Sequence, residues 1–172
     1  MKKSLSKLLL LVTITTMLFC LVGCSGEVKL KTRIISGLTL KVPSDYEDFE
    51  VKEGFMVAAG PNASITLSPV TSSGGLAASW WTENNLKDMY NDVYTNIEIK
   101  SIKNDSKVDD RPAVYAEFLA TDKNGDNFNV HLIVLYKDED LLHINYVMFK
   151  QGEDCSTSQY IDEIVESIRI AK

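Results

Sequence analysis

Three consecutive apolar runs in the second half of the chain restrict the possible fold more than any other feature. The runs are AVYAEFLAT (113–121), NFNVHLIVLYK (127–137) and LLHINYVMF (141–149), and each has the length and composition of a β-strand. The segments DKNGD and DED join them, and Asn124-Gly125 is a strong hairpin signal because both residue types tolerate positive φ. The sequence therefore predicts an antiparallel meander of three strands.

The register of this meander indicates what must cover it. Pairing Lys137 with Leu141 across DED gives one fully apolar face, formed by Val130, Leu132, Val134, Tyr136, Leu142, Ile144, Tyr146 and Met148. The opposite face is still half apolar and carries His131, Ile133, Leu135, His143, Asn145 and Val147. A sheet that is buried on both faces needs helices on both sides. We therefore predict an α+β fold, a largely antiparallel sheet flanked by helices on both faces as an α/β/α sandwich.

Two segments have the apolar spacing of helices. In TENNLKDMYNDVYT (82–95), Thr82 is the predicted N-cap, and the apolar stripe is Leu86, Met89, Tyr90, Val93 and Tyr94. In STSQYIDEIVESIRI (156–170), Ser156 and Gln159 form a predicted capping box, and the stripe is Tyr160, Ile161, Ile164, Val165 and Ile168. These are the predicted helices that cover the sheet.

The remaining segments are predicted to add strands and connections. Further strands are expected at 38–42, 55–59 and 64–68 and from Ile97 onward. The strands at 55–59 and 64–68 are expected to pair as a hairpin. DSKVDDRP (105–112) is predicted to be a turn, and the segment 71–81, with its two glycines and several serines, is predicted to be flexible.

The N-terminus has the pattern of an export signal. Three lysines precede an apolar run at 8–22, which is shorter than the about 20 residues that a membrane span requires. The run ends in LVGC (21–24), which resembles the lipobox of bacterial lipoproteins. That resemblance implies cleavage between Gly23 and Cys24 and attachment of a diacylglycerol to Cys24. The alternative is an ordinary secretory signal with an incidental cysteine.

These features divide the chain into a signal peptide (1–23), a lipidated cysteine with its tether (24–32) and one domain (33–172). Removal of the signal lowers Lys+Arg from 18 to 15 against 24 Asp+Glu, so the mature formal charge is −9. Nucleic acid is therefore a poor partner. The expected location is the extracytoplasmic face of a cell membrane, in a Gram-positive cell. Cys155 alone remains as a free thiol in the domain, which excludes an intrachain disulfide.

Three short motifs mark the order of the elements. Pro43-Ser44-Asp45-Tyr46 follows the leading strand, Asp110-Arg111-Pro112-Ala113 opens the second set of strands, and Glu166-Ser167-Ile168-Arg169 ends the last helix. This order resembles the PsbP-like (Mog-type) fold, which includes DcrB-like and other bacterial lipoproteins, over about residues 33–170. The resemblance implies a binding or assembly factor, because members act in photosystems or with a small GTPase. It provides no catalytic residues to carry over.

Several residues are candidates for a site. Glu117, His131, His143 and Asn145 are predicted to share one face, either as a polar pocket under a helix or as ordinary structural side chains. Two histidines without a third ligand do not form a metal site, so we predict none. DKNGDNF (122–128) has the 1, 3, 5 spacing of a calcium loop but no acid at position 12, and it is predicted to be a hairpin turn.

Trp80 and Trp81 are the candidates for a binding surface. Adjacent residues cannot both face the core of one helix, so one ring is expected to pack on the sheet and the other to lie exposed or beside a groove. The alternative is that both rings pack against loops. The acidic clusters at 45–48 and 138–140 are predicted to be solvated turns, and Cys155 is predicted to be a bystander thiol.

The sequence thus favours a membrane-anchored, non-catalytic binding or assembly module for an envelope protein partner. The alternative is a lipoprotein that binds a small ligand or a cation, such as a sensor. An enzyme is least favoured, because no serine lies at a strand-to-helix elbow and no other reactive constellation is evident. No cofactor is expected apart from the lipid on Cys24.

Overall fold

The computed structural model of the protein describes residues 28–171, so the predicted signal peptide, its cleavage site and Cys24 lie outside the described residues. The helices are α1 (Glu83–Tyr90) and α2 (Ser156–Ser167), and a short 3₁₀ helix spans Ala78–Trp80. The strands are β1 (Leu30–Ile35), β2 (Leu38–Pro43), β3 (Glu50–Lys52), β4 (Phe55–Gly60), β5 (Ala63–Leu67), β6 (Thr71–Ser72), β7 (Tyr94–Val108), β8 (Arg111–Asp122), β9 (Asn127–Tyr136), β10 (Leu141–Lys150) and β11 (Arg169–Ile170). Within this part of the chain, no helix is long and apolar enough to cross a membrane.

Most strands join one large antiparallel sheet. Its order is β3-β4-β5-β10-β9-β8-β7, and β6 pairs with the start of β10. The predicted meander and its register are confirmed, since His131 lies opposite Val147 and His143 lies opposite Leu135. The predicted hairpin of β4 and β5 is also confirmed.

Two apolar cores lie on opposite faces of the large sheet. On one face, Trp81 and Leu86 pack with the fully apolar side of β8, β9 and β10. On the other face, Ile164 of α2 packs with residues of β2, β5, β9 and β10. Alternating side chains along each strand supply both cores, as the period of two requires. The largely antiparallel sheet with two helices agrees with the prediction.

A second, smaller sheet was not predicted. It has the order β1-β2-β11, and it shares the second core with α2 through Leu38, Leu40 and Val42. The leading strand was therefore recognised, but its partners were not, because β1 is mostly exposed and β11 has only two residues. The second face is covered by a helix and a sheet together, and the predicted sandwich of helices alone is too simple.

Helix α1 is shorter than predicted. Thr82 is its N-cap as expected, and its side chain accepts a hydrogen bond from the Asn85 N–H. The helix ends at Tyr90, whereas Val93 is 52% exposed and Tyr94 already begins β7. Pairing of β7 with β8 from Tyr94 onward supplies backbone hydrogen bonds that compete with a further helical turn.

The turn predicted at 105–112 is also shorter than expected. Strand β7 continues to Val108, which pairs with Arg111. The turn itself contains Asp109 and Asp110, with φ values of 51° and 63°. Two successive residues with positive φ are typical of a two-residue hairpin loop, and Asp tolerates this conformation. The many polar residues in DSKVDD resemble a turn, so the end of β7 was not predicted from the sequence.

The predicted capping box at the start of α2 is wrong. Cys155 is the N-cap residue and makes no capping hydrogen bond through its side chain. The Ser156 hydroxyl instead donates to Asp45 Oδ1 at 2.9 Å, and the Tyr46 hydroxyl bonds to that of Thr157. Asp45 and Tyr46, which follow β2, therefore hold the start of α2 in place through these hydrogen bonds.

Candidate functional site

A cleft of about 550 Å³ lies between α2 and the part of the large sheet formed by β7, β8 and β9. Both signs of charge line it together with two ionisable rings. The cations are Lys103, Lys107 and Arg169, the acids are Glu117, Asp162 and Glu166, and the rings belong to Tyr115 and His131.

Strand pairing positions the floor of the cleft. Ser101, Glu117 and His131 are consecutive partners across β7, β8 and β9, so their side chains share one face of the sheet. Lys103 and Tyr115 form the next pair on that face. The floor is thus a row that contains an acid and an imidazole beside a row that contains a cation and a phenol.

Helix α2 forms the wall of the cleft. Asp162 and Glu166 are four residues apart and lie on the same side of the helix, and both line the cleft. Ile164 is fully buried in the core. Glu163 also points away from the cleft and forms an ion pair with Lys41 of β2 at 3.4 Å.

The charged groups of the cleft are not paired with one another. Among the described residues, none of the three cations and three acids forms an ion pair within 4.0 Å. Burial lowers the pKa of His131 from 6.5, although Glu117 and Asp162 raise it, so the ring is neutral at neutral pH. Its Nε2 is buried and has no hydrogen-bond partner among the described residues.

Only half of the predicted polar group lies at this cleft. Glu117 and His131 come together there, but His143 and Asn145 lie in the core on β10. The Nδ1 of His143 donates to the Ser68 carbonyl at 3.2 Å, and Asn145 Nδ2 donates to the Ile133 carbonyl at 3.3 Å. Strand β5 continues the sheet beyond β10, so these two side chains are enclosed.

The cationic half of the cleft was missed from the sequence. A partial signal was the spacing of Asp162 and Glu166 on one side of the last helix, followed three residues later by Arg169 just beyond the helix. Lys107 was missed because the end of its strand was predicted to be a turn, and Lys103 was not recognised as a site residue.

Trp80 and Trp81 have different environments. Trp81 is fully buried in the core, so it presents no surface, and the predicted binding surface is reduced to Trp80. Trp80 is partly buried, and its ring meets that of Trp81 edge to face with centroids 5.3 Å apart. One ring therefore lies in the core and the other is partly buried.

Trp81 also ties its segment to the sheet. Its indole Nε1 donates to the Tyr136 hydroxyl at 3.0 Å, and that hydroxyl donates to the Leu76 carbonyl at 2.7 Å. The Asn85 amide donates to the Trp80 carbonyl at 2.6 Å. The segment predicted to be flexible is thus fixed at its C-terminal end, and its start is fixed by the pairing of β6 with β10.

A second cavity of about 380 Å³ lies beside this segment. Its apolar lining comes from Ala77, Ala78, Pro112 and Tyr136, and its charged lining comes from Asp110, Arg111, Asp138 and Glu139. Part of the acidic turn at 138–140 therefore borders a cavity. We call Trp80 and this cavity the Trp80 surface.

The other candidates occupy structural positions. The Asp122 carboxylate accepts hydrogen bonds from the backbone N–H groups of Asn124 and Asp126 at 2.8 and 2.9 Å, which closes the hairpin turn. Cys155 is free and 5% exposed. No group of three His, Cys, Asp or Glu side chains in residues 28–171 is arranged to hold a metal ion.

Comparison with solved structures identifies the fold. The Saccharomyces cerevisiae Ran-binding protein Mog1p has a TM-score of 0.56 at 13% identity, covering 85% of this chain and 97% of its own. Cyanobacterial PsbP from Synechocystis has a TM-score of 0.55 at 12% identity, covering 86% and 96%. LpqN of Mycobacterium tuberculosis, involved in cell envelope biogenesis, has a TM-score of 0.50 at 14% identity, covering 86% and 93%.

No protein-family model matches the sequence, and no curated protein is similar to it. At these identities, the solved structures show the fold and no shared activity. The fold is therefore of the PsbP/Mog1-like α+β type.

Proposed function

We propose that this protein is a lipid-anchored, extracytoplasmic binding module that holds an envelope protein partner without catalysis. The observation that carries the proposal is the Trp80 surface, where a partly buried aromatic ring lies on the same short segment as Ala77 and Ala78, which line a partly apolar cavity. Partly exposed aromatic anchors next to cavities are frequent centres of protein interfaces. Among proteins of similar fold, Mog1p is Ran-binding and LpqN is involved in cell envelope biogenesis, which supports this class of function.

The Trp80 surface is held in place before a partner arrives. The hydrogen bonds from Trp81 to Tyr136 and from Tyr136 to Leu76 fix the segment that carries Trp80. A fixed side chain loses little conformational entropy on binding, so more of the contact energy appears as affinity.

The charges of this surface indicate the chemistry of the partner. Three acids, Asp110, Asp138 and Glu139, line the cavity with a single cation, Arg111. An apolar partner side chain flanked by Lys or Arg would fill the cavity and match its charge. The partner is therefore proposed to present a basic segment with an apolar anchor.

Lipidation at Cys24 would hold the module at the membrane. A buried acyl chain contributes about 0.8 kcal/mol per CH₂, and two or more chains give stable anchoring. In cell fractionation, Cys24→Ser is expected to release the protein from the membrane or to block its processing. A Cys24→Ser protein that is processed normally and stays fully in the membrane fraction would contradict the anchor.

Site-specific photo-cross-linking tests the partner. p-Benzoylphenylalanine is incorporated at Ser79, which is exposed beside Trp80, or at Val51, which is 72% exposed on β3 at the edge of the large sheet. We expect a discrete cross-linked protein from Ser79 and none from Val51 in intact cells. Equal products from both positions, or none from Ser79, would contradict a partner at the Trp80 surface.

The cleft favours a second candidate function, the binding of a small ligand. Its volume of about 550 Å³ is within the range of small-molecule sites, and its six charged groups lack ion-pair partners among the described residues. Thermal-shift screening of the purified protein against charged metabolites tests this candidate. Stabilisation by a compound that fails to stabilise Glu117→Gln would place it in the cleft.

A further inference from the structure

The two ends of the cleft differ in charge. Glu117 lies opposite His131, and both Glu117 and Asp162 act electrostatically on the His131 ring. The Glu117, Asp162 and His131 group is the acidic end of the cleft.

The basic end of the cleft lies beside Tyr115. Lys103 is opposite Tyr115 in the sheet, and Arg169 acts electrostatically on the Tyr115 hydroxyl. Lys107 lines the cleft four residues farther along β7. Glu166 is also close to Tyr115, so this end holds three cations and one acid.

We infer that the cleft binds a short unmodified peptide, or a zwitterion of similar length, with its ammonium at the acidic end and its carboxylate at the basic end. This inference rests on the second proposed function and is independent of the Trp80 surface. An ammonium has a carboxylate partner at Glu117 or Asp162, and a carboxylate has one at Lys103 or Arg169.

The spacing of the two ends selects the length of the ligand. Glu117 and Tyr115 are successive residues on one face of β8, so the two rows lie about 7 Å apart at the backbone. Lys107 pairs with Pro112 and also lines the cleft, so the basic end extends past this second row. The charged termini of an extended tripeptide are about 10 Å apart, whereas those of a free amino acid are much closer.

The charge balance of the cleft also favours a zwitterion. Three cations and three acids sum to zero, so a ligand with one sign of charge would leave the opposite end unmatched. Neighbouring residues outside the cleft do pair, because Lys100 and Glu98 on β7 are 2.6 Å apart and Lys41 binds Glu163 of α2.

The buried Nε2 of His131 adds a polar group at the acidic end. It has no hydrogen-bond partner among the described residues. A neutral imidazole with its proton on Nδ1 accepts a hydrogen bond at Nε2, and an ammonium is a donor only. In that tautomer, the acidic end holds a ring acceptor in addition to its two carboxylates.

Isothermal titration calorimetry with tri-alanine tests the inference on the full-length mature protein. We expect tri-alanine to bind, and N-acetyl-tri-alanine, tri-alanine amide and free alanine each to bind at least tenfold more weakly. Glu117→Gln and Lys103→Gln are each expected to raise the Kd for tri-alanine at least tenfold. Lys100→Gln is the matched control on the same strand, and it is expected to leave the Kd unchanged.

Three results would overturn the inference. They are no binding of tri-alanine up to ~10 mM, equal binding of the blocked peptides, and an unchanged Kd in both cleft variants. Binding of N-acetyl-tri-alanine as tight as that of tri-alanine would make the cleft an anion site, which overturns the zwitterion while the small-ligand function stands. If a charged metabolite binds and its binding depends on Glu117, while tri-alanine does not bind, the zwitterion inference fails and the small-ligand function stands.

Discussion

The two faces of the large sheet are closed to different extents. On the Trp81 face, the fully apolar sides of three strands meet buried aromatic and aliphatic residues. On the α2 face, the helix and the small sheet cover β10, β5 and part of β9, but the parts of β7 and β8 around Ser101, Lys103 and Glu117 stay open and charged. A helix with its side chains is about 10 Å wide and covers only about two strands. The α2 face therefore has room for a small ligand, whereas on the Trp81 face the proposed recognition is limited to the Trp80 surface.

His143 and His131 lie on the same face of the large sheet, but His143 is enclosed and His131 lines the open cleft. His143 is 1% exposed and hydrogen-bonded to a backbone carbonyl, as a structural side chain is. His131 lines the cleft, and its Nε2 has no partner among the described residues. The two histidines lie at different places on the sheet. The side chains that cover His143 on β10 do not extend over the cleft, so His131 remains without a partner there.

The largest expected effect is on the closed face. Trp81→Ala is expected to lower the free energy of unfolding by about 3–5 kcal/mol, because it removes a fully buried ring and its hydrogen bond to Tyr136. Trp80→Ala removes a partly exposed ring and is expected to cost less than half as much. Urea denaturation of both variants checks this. Equal losses would show that Trp80 is also a core residue.

A smaller effect is expected for the inner side of α2. Ile164→Ala is expected to cost about 2–4 kcal/mol, because Ile164 is fully buried between the helix and the sheets. Asp162→Ala, on the cleft side of the same helix, is expected to change stability by less than ~0.5 kcal/mol. Urea midpoints measure both. A large loss for Asp162→Ala would mean that the cleft side is part of the scaffold.

The pH dependence of stability separates the two histidines further. Burial lowers the pKa of both His143 and His131 from 6.5, so the unfolded chain takes up protons at a higher pH than the folded one. The stability from the neutral rings is therefore complete above pH 6.5 and is lost as the pH falls below it.

Urea denaturation at about pH 7.5 and about pH 5.5 measures this loss. His143→Gln is expected to reduce the loss more than His131→Gln, because His143 is 1% exposed whereas His131 is only partly buried. An identical pH dependence for the wild type and His143→Gln would contradict a neutral, buried His143.

The smallest effect on stability is expected in the cleft itself. Glu117→Gln and Lys103→Gln are each expected to change the free energy of unfolding by less than ~0.5 kcal/mol, because neither side chain forms an ion pair among the described residues. Urea denaturation beside the calorimetric titration checks this. A loss above ~2 kcal/mol for either variant would mark the cleft charges as structural.

The central sheet could be predicted from the sequence because its strands contain strong, local signals. The alternation of apolar residues and the DED loop fixed the pairing of His131 with Val147, which the structure reproduces. Thr82 was recognisable as an N-cap because a single hydroxyl before a helical stripe performs that role.

The features that were missed depend on contacts between distant segments. Ser156 bonds to Asp45, 111 residues away, so a local capping rule misassigned it. The small sheet joins β2 to β11, near the C-terminal end of the chain. The cleft needs strand β7 to continue past Lys103, and polar residues there resembled a turn. Spatial neighbours of this kind have no local pattern in the sequence.

Recovery of a partner from intact cells tests the proposed binding module most directly. The tagged lipoprotein, Trp80→Ala and Phe55→Ala are cross-linked and purified in parallel, and their thermal midpoints are measured. Phe55, which is 37% exposed on β4, is the matched control for a partly exposed aromatic ring elsewhere. We predict one partner with the wild type and Phe55→Ala and its loss in Trp80→Ala, with a folded variant whose midpoint falls by only a few degrees. The same partner bound by Trp80→Ala, or no partner for the membrane-bound wild type, would contradict the account.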